Sequence, residues 1–219
     1  MNRILVLGAH PDDETLGLGG TIAKKSKNGD LVFSLIFTDG ESARGSNKLK
    51  IKRRREQAQE AAKTLGIKEI EFLDYEDQKL DTIPTVELSK KIEKAIKKWK
   101  PNIIFTHFYG DMNQDHRAIF DATLIAARPV PKSKILQLLC YEIPGSTEWG
   151  LQKFNPNFYE DIGDFIKIKE NAFKKYKDEV EQFPHPRAVK SVILSSQYRG
   201  SNVGIKNAEA FLKIREISK

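Results

Sequence analysis

Short apolar runs alternate with stretches of helical periodicity from the first residues of the chain. Residues 4–8, Ile-Leu-Val-Leu-Gly, have the pattern of a buried strand, and 15–27 that of a helix ended by Asn28-Gly29. The alternation continues with a strand and turn over 31–40, a long helix over 48–65 stopped by Gly66, and a strand over 69–75. A helix over 85–100 closed by Pro101, a strand over 102–107, a helix over 114–127 and a strand over 135–143 complete it. Strands that read as continuous apolar runs between amphipathic helices predict an α/β fold, a Rossmann-like, mostly parallel sheet flanked by helices. From Pro144 onward the pattern predicts a helical and loop C-terminal cap, with its clearest helix over 161–182. There is no repeat, low-complexity tract or Gly/Ser/Pro-rich linker, so the expectation is a single domain over 1–219.

Each predicted strand of the first half runs into a polar loop. AHPDDE follows the first, TDGES the second, DYEDQ the third and HFYGDMNQDH the fourth. Ligands of open parallel sheets lie beyond the carboxyl ends of the strands, near the switch in strand order. All four loops therefore converge on the edge where a site is expected.

AHPDDE poses an electrostatic problem, because Asp12, Asp13 and Glu14 repel one another and burial unpaired costs several kcal/mol each. A bound dication resolves it. His10 and Asp13 are three residues apart on a turn entering a helix, and His116 of the fourth loop supplies a third ligand for an open zinc site. Asp12, beside the metal, is placed to act as general base toward a metal-bound water. The plainer reading, a turn histidine with acids favouring a helix N-terminus, accounts for the first cluster alone but not for a second His/Asp cluster at a neighbouring strand end. Two histidines and a carboxylate serve Zn2+ or Fe2+.

Composition narrows the classes. Thirty-seven Lys and Arg against 30 Asp and Glu give a net charge of +7, concentrated in helical runs such as 48–56 and 90–100. These runs carry no interleaved aromatics and no nucleic-acid motif, so they read as solvated surface and no nucleic-acid partner is expected. No apolar run reaches the roughly 18 residues of a transmembrane segment, and the start lacks the layout of a secretory leader. The single cysteine, Cys140, lies in a predicted strand and reads as a core residue; with no disulfide possible within the chain, a cytoplasmic setting is expected. GLGG at 17–20 lacks the spacing of a dinucleotide-binding loop and follows the acids, and no G-x-S-x-G elbow exists.

With AHPDDE after the first strand, NQDHR after the fourth, and YEIPGSTEW, PHPR, QYRG and NAEAF beyond, nearly the whole chain resembles the zinc-dependent N-acetylglucosaminyl de-N-acetylases, the PIG-L or LmbE-like family. The resemblance implies His10, Asp13 and His116 as metal ligands and Asp12 as general base. It implies Arg54 as the substrate-binding arginine, with Arg53 and Arg55 as alternatives, and Asp77 as an acid near the sugar. The best-known members carry His-x-Asp-His in the second motif, the first histidine helping to stabilise the oxyanion. This chain has Asn113 there, which donates a hydrogen bond but delivers no proton. Asp115, which would orient that histidine, then holds a ligand imidazole instead. Two readings follow: His185 of PHPR swings into the substrate site as the acid, or zinc and Asp12 carry the proton traffic alone. A turn histidine between two prolines is the plainer account of His185, and packing or support of a ligand that of His107.

The activity implied is metal-dependent hydrolysis of an N-acetyl group from an amino sugar or glycoconjugate. The alternatives are hydrolysis of a non-sugar amide and a non-catalytic sugar-binding protein, for which the Asn113 replacement is the only support. Oligomeric state leaves no signature.

Overall fold

A computed structural model describes residues 1–45, 47–131 and 133–218. The strands are β1 (Arg3–Gly8), β2 (Leu31–Thr38), β3 (Glu69–Tyr75), β4 (Ile103–His107), β5 (Gln137–Tyr141), β6 (Phe158–Asp161) and β7 (Ala208–Glu216). They form one seven-stranded sheet in the order β3-β2-β1-β4-β5-β7-β6. The first five are parallel, and β7 runs antiparallel to both β5 and β6. The helices are α1 (Asp13–Lys27), α2 (Lys48–Leu65), α3 (Thr85–Trp99), α4 (Gln114–Ala126), α5 (Ile166–Phe173) and α6 (Val189–Ser201).

The two-residue period of the strands divides the core. Ile4, Val6, Val32 and Phe105 point to the side covered by α1, α2 and α5, while Leu5, Leu7, Phe33 and Ile104 point to the side covered by α3 and α4. On α2 the inward row is Arg54, Ala58, Ala61 and Leu65, spaced as one helix face. On α3 it is Leu88, Ile92, Ala95 and Trp99.

Two glycines of GLGG serve close packing. A Cβ on Gly17 would lie 2.3 Å from the Tyr141 ring, and one on Gly20 would lie 2.7 Å from Ile162. The segment lets α1 press against β5 and the chain after β6.

The C-terminal part departs from the expected helical cap, because it adds two strands to the sheet. The expected helix over 161–182 is confined to α5. The chain leaves the helix after Phe173 in a turn that buries Tyr176, whose hydroxyl donates to Glu14. β7 inserts between β5 and β6, with Ala208, Ala210 and Phe211 buried. Among the described residues no helix is long and apolar enough to cross a membrane.

Candidate active site

The strand order reverses at β1, whose neighbours are β2 and β4. The loops leaving β1 and β4 straddle that point, and they carry His10 and His116. His10 Nδ1 lies 3.2 Å from His116 Nε2 and 3.4 Å from Asp13 Oδ2, and His116 Nε2 lies 3.6 Å from the same oxygen. All three residues are buried.

These spacings fit a metal. Zinc bonds of about 2.0–2.2 Å in tetrahedral geometry separate neighbouring donors by about 3.3–3.6 Å. The electrostatics agree. Burial alone would raise Asp13, but the imidazoles of His116 and His10 hold it well below the usual carboxylate range. Burial alone would lower His10, but the Asp13 charge and hydrogen bonds to Asp115, Asp13 and Asp77 push it well above the usual imidazole value. The pocket calls for positive charge, and Asp13 Oδ1 is buried with no partner.

Carboxylates back both imidazoles. His10 Nε2 lies 3.2 Å from Asp115 Oδ2 and 3.1 Å from Asp77 Oδ1. Asp115 is itself fixed, since the amides of Gln78 and Leu80 donate to its two oxygens at 2.8 and 2.9 Å. On the other side His116 Nδ1 lies 3.1 Å from Asp111 Oδ1, and Asp111 accepts from the hydroxyls of Ser146 and Thr147. Support of this kind orients ligand imidazoles. A second cluster of His10, Asp77 and Asp115 also has donor atoms near one another. The backbone bonds of Asp115 suit it to anchoring His10 instead.

Asp12 is the strained residue of the site, with φ 143°, a rare value for a side-chain-bearing residue. Its conformation is pinned by Arg54 Nη2 and Arg187 Nη1, each 3.2 Å from Oδ2. Oδ1 is buried without a partner. Burial pushes Asp12 up to about 6 against the opposing pull of Arg187 and Arg54.

The three candidate arginines separate cleanly. Arg54 points inward and is 3% exposed, whereas Arg53 and Arg55 reach the exposed Asp178 and Asp74. Arg54 donates to the carbonyls of Pro11 and Gly40 and to Asp12, Glu41 and Glu179, so it braces the Asp12 loop from beneath. His185 is not among the residues lining the cavity beside His116. It is exposed, and its Nδ1 accepts the amide of Arg187 at 3.1 Å, which shapes the proline turn. That turn delivers Arg187 to Asp12, with Glu179 as a second partner. Arg187, Gln78, Asn113, His116, Ser146 and Trp149 line a cavity of about 360 Å³. Asn113 caps α4, its Oδ1 accepting the amide of Asp115 at 2.9 Å.

His107 stacks on His116 with ring centroids 3.9 Å apart, and its Nε2 accepts the Ala9 amide at 2.9 Å. Burial, then the neighbouring His116, lowers it to about 4, so it stays neutral. Sequence reasoning missed Arg187, Glu179, Asp111 and Gln78. Gln78 and Asp111 lie in the DYEDQ and HFYGDMNQDH loops at the site's edge, and Arg187 lies in PHPR two residues after His185, whereas Glu179 had no signal.

The PIG-L family profile, described as GlcNAc-PI de-N-acetylase, matches residues 5–127. An uncharacterized deacetylase of Escherichia coli is 29% identical over 180 residues, 80% of this chain and 90% of that protein. The diacetylchitobiose deacetylase of Thermococcus kodakarensis is 28% identical over 195 residues, 84% of this chain and 71% of that protein. Among solved structures, a conserved protein of Thermus thermophilus superposes with a TM-score of 0.81 at 25% identity, over 100% of this chain and 97% of that one. The profile match covers the segments that carry both histidines, Asp12 and Arg54, and the chain belongs to the PIG-L family of de-N-acetylases.

Proposed function

We propose that the chain hydrolyses the N-acetyl amide of an N-acetylated amino sugar or glycoconjugate, with His10, Asp13 and His116 holding a zinc ion. Such a cation supplies Lewis acidity toward the amide carbonyl and the attacking water. Asp12 takes the proton of that water at Oδ1, the oxygen its two arginines leave free. Once protonated, it returns the proton to the departing amine, so acetate and a free amino sugar leave. His107, held neutral, and His185, turned outward, take no part in the proton transfer. Arg187 and the amide nitrogen of Asn113 border the cavity as donors for the oxygen on which negative charge develops. Arg54 and Asp77 act from below, the first on Asp12 and the second on His10. The Thermococcus kodakarensis relative named for diacetylchitobiose supports the sugar reading.

The observation that carries this reading is the 3.2–3.6 Å triangle of His10, His116 and Asp13 donors beside an unpartnered Asp12 oxygen. Metal analysis combined with acetate release from N-acetylglucosamine compounds tests it. Asp12→Asn is expected to keep its metal and lose turnover. Metal-loaded protein that releases acetate from no N-acetylated sugar overturns the reading, and near-full activity of Asp12→Asn removes Asp12 from the mechanism.

A further inference from the structure

The turn after α5 carries a buried carboxylate that the proposed chemistry leaves without a task. Glu179 is 3% exposed and accepts from three guanidinium groups, those of Arg44, Arg54 and Arg187. Burial alone would raise it, but Arg54, Arg44 and Arg187 hold it below the usual carboxylate range, so it is charged. Two of the three cations also reach the proposed general base. Asp12 and Glu179 thus alternate with Arg54 and Arg187 in a closed ring of four charges. Local bonds shape one side of the ring. The Glu181 amide donates to the Arg187 carbonyl at 3.2 Å and the His185 amide to the Gln182 carbonyl at 3.0 Å, which returns Arg187 beside Glu179.

The two arginines depend on Glu179 unequally. Arg54 has anchors of its own in the Pro11 and Gly40 carbonyls and in Glu41. Among the described residues the Arg187 guanidinium meets only Asp12 and Glu179, and both bonds use Nη1, 3.2 Å from Asp12 Oδ2 and 2.5 Å from Glu179 Oε2. Its Nη2 and Nε meet no protein acceptor among the described residues, and the side chain borders the His116 cavity. Charge sets this division. With Glu179 gone, a cation left with one carboxylate neighbour is drawn wholly onto it. Asp12 Oδ1 is the oxygen still open. A guanidinium closing on Oδ1 would cover the atom that is to take the proton and would pull its remaining donors out of the cavity.

Resting on the proposed deacetylase reading, we infer that Glu179 is a positioning residue for the reaction: it holds Arg187 by Nη1, so that Asp12 keeps a free oxygen and Arg187 keeps Nη2 for the substrate. The competing account is that Glu179 only neutralises buried cations, which affects stability and not turnover.

Steady-state acetate release from N-acetylglucosamine compounds by zinc-loaded protein separates the two. Glu179→Gln is expected to lower kcat about 10²-fold, the scale of a misplaced group, with KM within about twofold and zinc content unchanged. In an Arg187→Ala background the same change is expected to lower kcat less than about threefold, because its effect passes through Arg187. Asp178→Asn is the control, since it loosens the same segment from Arg53 and Gln57 and leaves the ring intact; wild-type kcat is expected. Arg187→Lys keeps the charge but has one nitrogen for both carboxylates, so it is expected to lose kcat as Arg187→Ala does, and it decides the matter should Glu179→Gln fail to fold. Wild-type kcat in Glu179→Gln or Arg187→Lys, full additivity with Arg187→Ala, or an equal loss in Asp178→Asn overturns the inference. A crystal structure of zinc-loaded Glu179→Gln tests it without turnover. Arg187 displaced toward Asp12 Oδ1 supports the positioning role even if wild-type protein releases no acetate, a failure that belongs to the deacetylase reading; Arg187 in its unaltered place overturns it.

Discussion

Arg187 Nη1 lies 3.2 Å from Asp12 Oδ2, across 175 residues of sequence, and shares that oxygen with Arg54. The two cations differ in setting. Arg54 is buried among carboxylates and backbone carbonyls, whereas Arg187 borders the cavity. Arg187→Ala is expected to lower kcat by about 10²-fold, the scale of a lost oxyanion donor, with little change in melting temperature. Arg54→Ala leaves Asp12, Glu41 and Glu179 facing one another without a buried cation, and a loss of about 3–5 kcal/mol is expected. Steady-state kinetics and urea denaturation on the two variants separate these outcomes. Equal loss of stability would remove the distinction.

Asp115 acts on the proposed metal through His10. Its side chain fixes the Nε2 face of the imidazole and is itself fixed by two backbone amides. Asp115→Asn is expected to weaken zinc binding about 10–100-fold while leaving the three ligands in place, as loss of outer support generally does. His116→Ala is expected to lose most of the bound metal. Competition against a fluorescent chelator measures both, and wild-type affinity in Asp115→Asn would show that the carboxylate holds only the 78–80 backbone.

How much of this was legible in the chain follows from the range of each interaction. Four of the five parallel strands were readable because each is a largely apolar run, and the edge strand β3, where Glu69 and Glu71 alternate with apolar residues, was readable from its half-buried alternation after α2. β7 was not, since Ala208–Glu216 mixes buried Glu209 with exposed Ile214 and its partners lie 47 to 79 residues away. Arg54 could be told from its neighbours by helical spacing, because it falls in the inward row of Ala58, Ala61 and Leu65. Arg187 and Glu179 meet Asp12 and Arg54 only through a tertiary approach that no periodicity announces. His185 attracted the catalytic reading for its chemistry, while its structural task is to turn the chain so that Arg187 arrives.

Glu14 provides a test of pH dependence. Burial pushes it up to about 7, against opposing hydrogen bonds from Tyr176 and Thr15. A carboxyl raised in the folded state binds its proton more tightly there than in the unfolded chain. Its contribution is therefore neutral below about pH 4.5 and becomes destabilising as pH rises through about 7. Asp12, raised to about 6, acts in the same direction, and His107, lowered to about 4, opposes them between about pH 4 and 6.5. Two carboxyls outweigh one imidazole, so metal-free protein is expected to lose stability between pH 5 and 7. Glu14→Gln is expected to stabilise metal-free protein by up to about 3 kcal/mol at pH 8 and by nearly nothing at pH 4.5. Urea melts in chelator at the two pH values decide the matter, and an equal effect at both refutes the assignment.

Gly17 tests whether the GLGG segment is there for packing. A methyl at this position meets the Tyr141 ring at 2.3 and 2.9 Å and the Glu142 carbonyl at 3.1 Å. The ring has little freedom to retreat, because Tyr141 is fully buried and its hydroxyl donates to the Leu7 carbonyl at 2.6 Å. Movement of Tyr141 also disturbs His107, 3.2 Å from that hydroxyl, and through it the ring stacked on His116. Helix propensity alone favours alanine over glycine by about 1 kcal/mol. Overpacking a rigid core costs about 1–3 kcal/mol, so the sign is set by the clash. Gly17→Ala is therefore expected to destabilise by about 1–2 kcal/mol and to weaken zinc binding. Gly29→Ala, where nothing lies within 4 Å of the new methyl but φ is 87°, is expected to destabilise through backbone strain without touching the metal. Thermal melts and metal titration of the pair separate packing from backbone. A Gly17→Ala protein as stable as wild type would show that α1 and β5 have room between them.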